Sequence, residues 1–182
     1  SEKPKPLTYM ETHAGRALYD LSSGEALKTG EAVAGVGRML TGFAPDHPYR
    51  RAVEAARAAA GETAYPGSPW VAAHLLRSDD RPHLAELHPR ENAALREAMQ
   101  TLPKDRGARI HQQDGFELAL SLAPPTPRRG LLLIDPSYEV KDDYAKIPKV
   151  IGRIHKKWNV GVIALWYPIL TNGAHEPMLT AL

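Results

Sequence analysis

A chain of 182 residues with 43% hydrophobic and 24% charged side chains can bury a core of one-domain size, which excludes wholesale disorder and fibrous repeats. No apolar run approaches the roughly 18 residues of a membrane-spanning helix, and no basic start followed by an apolar stretch reads as a signal peptide. The formal net charge is only +2, and cysteine is absent, which removes disulfides, thiolate catalysis and zinc–thiolate sites and fits a reducing cytoplasm.

The first strand-like run, Leu7 to Met10, leads into the polar turn Glu11-Thr12-His13-Ala14-Gly15. Glycine lets the backbone pass close to a ligand there, and His13 is either ligand-facing or a satisfied turn residue. About seventy residues then separate Met10 from Leu84, where a plain strand–helix–strand crossover needs a few tens. That excess predicts a helical insertion over residues 20–82. Within it, Glu31 to Phe43 reads as a helix through Val33, Val36, Met39, Leu40 and Phe43, and His47 to Ala60 as an alanine-rich helix ended by Gly61. Pro66-Gly67-Ser68-Pro69 opens a third, with Ser68 placed as its N-cap.

A second strand, His83 to Leu87, runs into Glu86-Leu87-His88-Pro89. An acid at that strand end accepts hydrogen bonds from a ribose diol or stands as an exposed turn carboxylate. After Pro89, Glu91 to Leu102 reads as a helix with Ala94, Leu95, Ala98, Met99 and Leu102 on one face. A third strand, Ala108 to Gln112, precedes Asp114-Gly115-Phe116, where Asp114 suits an adenine amine or caps the next helix. The loop Ala123 to Pro127 then leads to the continuous apolar run Leu131 to Ile134 and to Asp135-Pro136-Ser137-Tyr138. In that turn a base amine could donate to Asp135 and to the Pro136 carbonyl while Tyr138 stacks on the ring; the bland alternative is a plain Asp-Pro turn. Asp142 and Asp143 read as solvated, helix-initiating residues. A helix is predicted from near Pro148 to Trp158, with Val150, Ile151 and Ile154 inward, and the last strand is Val160 to Trp166.

Short apolar strands alternating with helices predict an α/β fold built on a mostly parallel sheet covered on both faces, with its ligand site at the strand ends. Charge is uneven along the chain: residues 121–182 hold eight Lys/Arg against five Asp/Glu, and Lys146, Lys149, Arg153, Lys156 and Lys157 fall at near-helical spacing. Such a stripe is a solvated helix face or a surface for phosphates.

Six blocks in order, Thr12-His13-Ala14-Gly15, Tyr65-Pro66-Gly67-Ser68-Pro69, Glu86-Leu87-His88-Pro89, Asp114-Gly115-Phe116, Asp135-Pro136-Ser137-Tyr138 and Ala164-Leu165-Trp166-Tyr167-Pro168, resemble the RlmJ methyltransferases along nearly the whole chain. The resemblance implies a Rossmann-like class I methyltransferase fold. It also implies methylation, from S-adenosyl-L-methionine, of the N6 amine of one adenosine in large-subunit (23S) ribosomal RNA. His13, Gly15, Ser68, Glu86, Asp114, Gly115 and Asp135 would line the cofactor site. Asp135, with Pro136 and Tyr138, would carry catalysis. No metal is implied. The partner would be protein-free ribosomal RNA, and the protein a cytoplasmic monomer with no membrane contact.

The chain departs from the family at Glu11, where Asp is usual, at Ala17, where a second glycine is usual, and at Ser137, which replaces the second proline of a commoner Asp-Pro-Pro-Tyr. Nothing before Leu7 matches the family's His- and Lys-rich N-terminal segment. Five of the usual seven strands are expected. With Ser1 at the start and no stop signal at Leu182, the chain 1–182 reads as a single methyltransferase domain lacking both ends. A DNA adenine-N6 methyltransferase would use the same acid-proline-aromatic turn, and a non-catalytic RNA-binding module on this fold would keep the basic stripe.

Overall fold

Strand β1, Thr8–Glu11, is buried along its whole length and is hydrogen-bonded on both sides. The structure, a computed structural model, describes residues 5–23, 35–139 and 142–182. Around β1 lie β4 (Arg81–Ala85), β5 (Arg109–His111), β6 (Gly130–Ile134) and β7 (Val162–Leu165), in the order β5-β4-β1-β6-β7 and with every pair parallel. This is the mostly parallel α/β sheet expected, because runs such as Leu131 to Ile134 place apolar residues on both faces and both faces need cover. The second strand begins at Arg81 rather than His83 and ends at Ala85, so Glu86 and the exposed Leu87 leave the sheet. Its neighbour β5 has only three residues, too few to pair the longer run.

By contacts the chain divides into two compact units, Ser1–Ala14, Asp79–Pro89 and Ala108–Leu182 against Gly15–Ser78 and Arg90–Gly107. The first unit holds the sheet with helices α5 (Gly115–Leu122), α6 (Asp143–Lys157) and α7 (Glu176–Thr180). Its core joins Met10, Leu132 and Ile134 of the sheet to Phe116 and Ala119 of α5, Ile147, Val150 and Ile154 of α6, and Trp158. Helix α6 starts at the acid pair Asp142-Asp143 and takes Pro148 into its interior, whereas the proline alone suggested a start near Pro148. Carboxylates favour a helix N-terminus. The earlier start also carries the fully buried Ile147 into the core. Trp158 is sealed by the Nε1 hydrogen bond it donates to the Arg128 carbonyl and by two glycines, since a Cβ on Gly161 would lie 2.2 Å from its ring and one on Gly130 3.2 Å from it.

In the second unit, β2 (Leu18–Asp20) and β3 (Ala64–Pro66) form an antiparallel pair that no sequence periodicity announced, because three-residue strands have no period to detect. Of the helix expected over Glu31 to Phe43, residues 31–34, with Val33, lie outside the described residues. The remainder forms α1 (Val36–Met39) and a 3₁₀ turn at Leu40–Gly42. Helix α2 (Pro48–Ala60) matches its sequence signals: the His47 ring accepts from the Tyr49 N–H as N-cap, and Gly61 ends the helix at φ +104°. Helix α3 (Ser68–Leu75) is capped by Gly67 rather than Ser68, and no side chain caps it. The Gly67 N–H is drawn to the Ala17 carbonyl at 2.7 Å, which sets the turn one residue earlier. Trp70 of α3, 1% exposed, donates to Thr101 Oγ1 at 3.0 Å and stacks on His74. Helix α4 (Pro89–Met99) starts at the proline itself. It buries Leu95, Ala98 and the polar Asn92, whose amide oxygen accepts from Arg96 Nε at 2.9 Å. Among the described residues no helix is long and apolar enough to cross a membrane.

Two glycine-to-alanine changes separate packing from propensity. Gly161→Ala forces a methyl into the Trp158 ring and should cost about 1–3 kcal/mol. Gly152→Ala on α6 meets open space and should gain about 0.5–1 kcal/mol from helix propensity. Calorimetric melting is expected to shift down for the first and up for the second.

Candidate functional site

The strands of the first unit deliver their C-terminal ends to one edge of the sheet, and the strand order reverses between β1 and β6. A crevice outside such a reversal is where open parallel sheets hold ligands, because the loops on either side of it diverge. Backbone bonds lock the turns that leave this edge: Thr12 N donates to the Leu133 carbonyl, Ala14 N to Ala85, Glu86 N to His111 and Trp166 N to Ile134. His13, Glu86, Asp114, Asp135 and Pro136 all follow strand ends in this unit.

Glu11 closes β1 as a 1% exposed carboxylate, and the Tyr9 hydroxyl donates to its Oε2 at 2.8 Å. This pairing gives the longer acid at this position a partner inside the sheet. Next to it, His13 Nδ1 lies 2.7 Å from Thr12 Oγ1, and its ring meets Phe116 edge-on at 5.0 Å. Burial pushes the His13 imidazole down to about 4, so it is neutral at pH 7. Asp114 does cap α5: its Oδ1 accepts from the N–H groups of Phe116 and Glu117, while its Oδ2 takes the Lys146 ammonium at 3.2 Å. Burial pushes its carboxyl up, but the two N–H groups and Lys146 outweigh this and hold it below the usual range. Gly115 is demanded by a close approach, because a Cβ there would stand 1.8 Å from the Thr12 carbonyl oxygen. Glu86 curls back so that its Oε1 accepts from the His88 N–H at 2.7 Å.

Asp135 follows the buried end of β6. It is half-buried, desolvation raises its pKa, and no hydrogen bond to its carboxylate is present among the described residues. Beyond the buried Pro136 and the exposed Ser137, Tyr138 adopts φ +59°, a left-handed conformation that costs a non-glycine residue on the order of 1 kcal/mol. It is held there by its hydroxyl, which donates to the Trp166 carbonyl at 2.6 Å, and by ring neighbours Tyr144 and Trp166 at centroid distances of 4.8 and 6.5 Å.

Gly15 and Ser68 fall in the second unit. Gly15 has φ +60°, and a Cβ would lie 2.8 Å from the Tyr19 hydroxyl; Ser68 is the first residue of α3. Ala17, standing where the related motif has glycine, is itself left-handed at φ +65° and fully buried. Arg16 makes a two-pronged pair with Glu91, at 2.7 and 2.8 Å.

Sequence reasoning missed Lys146 as a site residue. Its ammonium binds Asp114 and sits 4.6 Å over the Phe116 ring, instead of standing free on a basic stripe. It also missed Trp166 as the anchor of the Tyr138 turn. The Ala164 to Pro168 block was the available signal for Trp166, and nothing local could signal Lys146.

A family model described as Ribosomal RNA large subunit methyltransferase D, RlmJ, matches residues 4–182. The chain is 40% identical over 174 residues to Ribosomal RNA large subunit methyltransferase J of Escherichia coli K12, covering 93% of this chain and 60% of that one. It is 40% identical over 172 residues to the protein of that name from Haemophilus influenzae, covering 92% and 60%. A crystal structure of protein LPL1258 from Legionella pneumophila superposes with a TM-score of 0.87 at 34% identity, over 98% of this chain and 66% of that one. The chain thus spans about 60% of the length of these curated relatives.

His13 and His83 are both held near 4 by burial. An unfolded histidine titrates near 6.5. Between these values the unfolded state binds more protons, so stability is complete above about pH 6.5 and falls as pH drops toward 4. Thermal melts are expected to be flat from pH 7 to 8 and to decline from pH 6.5 to 4.5, with His83→Gln removing part of that slope.

Proposed function

The chain belongs to the RlmJ family of large-subunit ribosomal RNA methyltransferases, and from that membership we propose that it transfers a methyl group from S-adenosyl-L-methionine to the N6 amine of an adenosine in 23S ribosomal RNA. The observation that carries the reading is Asp135: a half-buried carboxylate without a hydrogen-bond partner among the described residues, at the strand reversal, followed by a proline and a strained tyrosine. A desolvated acceptor of this kind is costly unless a ligand donates to it. The residues also suit the cofactor. Glu86, directly after the end of β4, would accept from a ribose diol, Asp114 offers Oδ2 in exchange with Lys146, and neutral His13 adds no charge that would repel a sulfonium. Gly115 is proposed to complete this site within the first unit.

Bound there, the cofactor supplies an electrophilic methyl carried on a sulfonium. This chain's part is orientation. The adenine amine is a poor nucleophile because its lone pair is delocalised into the ring. Hydrogen bonds from its two protons to Asp135 and to the Pro136 carbonyl localise that pair and aim it for in-line attack. Asp135 need not be a strong base, since the amine becomes acidic once methylated and its proton can then pass to Asp135 or to water. The target base must be unstacked to reach the turn, and Tyr138 offers it a face whose geometry is fixed by the Trp166 bond. The helical insertion over residues 20–82 is proposed to meet the RNA. Acting on ribosomal RNA, the protein is proposed to work in the cytoplasm.

Asp135→Ala is expected to lower methyl transfer at least a thousandfold with cofactor affinity within about threefold of the starting protein, measured by tritiated-methyl incorporation and calorimetry. Glu86→Ala should instead weaken cofactor binding about tenfold or more. The same incorporation assay on protein-free ribosomal RNA and on duplex DNA separates this reading from a DNA methyltransferase. Binding of RNA with no heat from the cofactor would mark a non-catalytic module.

A further inference from the structure

Next to the Tyr138 turn, and within the same unit, helices α6 and α7 border a cavity of about 780 Å³ that none of the proposed steps uses. Tyr138, Glu139, Tyr144, Lys149, Asn172 and Met178 are among its walls. Tyr138 and Tyr144 are neighbouring rings, 4.8 Å apart and inclined at 41°, so the surface proposed to receive the adenine continues into this cavity without a break. Lys149 is exposed and lies on the face of α6 that also carries Arg153, giving the rim a positive edge suited to a polyanion. A lining of aromatic and apolar groups, one ammonium, one carboxylate and one amide matches a nucleotide: a flat base to stack, a phosphate to pair and a base edge to read. An apolar peptide would leave Lys149, Glu139 and Asn172 without work.

We propose that this cavity holds the nucleotide adjacent to the target adenosine in the RNA strand. Its base packs on the Tyr144 ring, its phosphate pairs with Lys149, and Asn172 and Glu139 read its edge. The inference rests on the methyltransferase reading of the Asp135 turn. It makes Tyr144, Lys149 and Asn172 determinants of sequence context, separate from the residues that orient the reacting amine.

The test compares adenosine monophosphate with the dinucleotides ApU and UpA, titrated into the protein with S-adenosylhomocysteine present. At least one dinucleotide is expected to bind about tenfold more tightly than the monophosphate, in line with one stacked base. Tyr144→Phe keeps the ring and should keep that gain, Tyr144→Leu should abolish it, and Lys149→Gln should reduce it and flatten its salt dependence. Monophosphate affinity should stay constant in Tyr144→Phe, Lys149→Gln and Asn172→Ala, whereas Tyr144→Leu, which also removes a ring packed on Tyr138, is judged by the ratio of dinucleotide to monophosphate affinity. If Tyr144→Leu does not fold, Lys149→Gln and Asn172→Ala carry the comparison. Equal affinity for mono- and dinucleotides, or a gain that survives these changes, overturns the inference alone and points to a cavity wall with a packing role. Failure to bind both S-adenosylhomocysteine and adenosine monophosphate overturns the methyltransferase reading, and the inference falls with it.

Discussion

The first unit depends on the double pairing of β1. Its four residues are buried and bonded to β4 on one side and β6 on the other, so Glu11 is held in register with both Leu84 and Leu133. A central strand held in this way has no freedom to slip, because a one-residue shift would turn its buried side chains to the opposite face. The turn after it inherits that rigidity. Thr12 is tied to Leu133 and Ala14 to Ala85, and the Thr12 carbonyl is so close to the start of α5 that only glycine fits at position 115. One strand thereby brings together His13, Asp114 and the Asp135 turn, residues far apart in the chain.

Among the described residues, left-handed strain at non-glycine positions falls once where ligand chemistry is proposed and once where it is not. Tyr138 and Ala17 both hold left-handed backbone that glycine would adopt more readily. At Tyr138 the aromatic ring and hydroxyl make the cost worthwhile, since the Trp166 carbonyl and the Tyr144 ring leave it one orientation. Ser137, in place of a rigid proline, is compatible with this turn because the restraint comes from Tyr138 and not from its predecessor. Ala17 is different in kind: it is fully buried, and its carbonyl accepts from Gly67, so its constraint lies in the packing of the second unit.

Much of this was legible in sequence for identifiable reasons. Strands buried on both faces are written as continuous apolar runs, and helix α2 carries its end signal, Gly61. Asp135 was visible because an acid and a proline directly after a buried strand break the apolar pattern where ligand sites arise. Other features had no local signature. The β2–β3 pair is too short for a period, Asn92 is a polar residue on a buried helix face, and Pro148 resembles a helix start although α6 begins five residues earlier.

The sequence by itself determined the α/β class, the parallel order of strands and helices, and which acids stand at strand ends, since these follow from hydrophobic periodicity and from the residues that interrupt it. The tertiary structure alone decided what each acid touches. Asp114 spends one oxygen on its helix cap and the other on Lys146, Glu11 is satisfied by Tyr9, and Glu86 turns back on His88, whereas Asp135 keeps its carboxylate without a hydrogen bond among the described residues. Such differences arise from contacts between distant segments and from local desolvation, and neither has a counterpart in linear spacing.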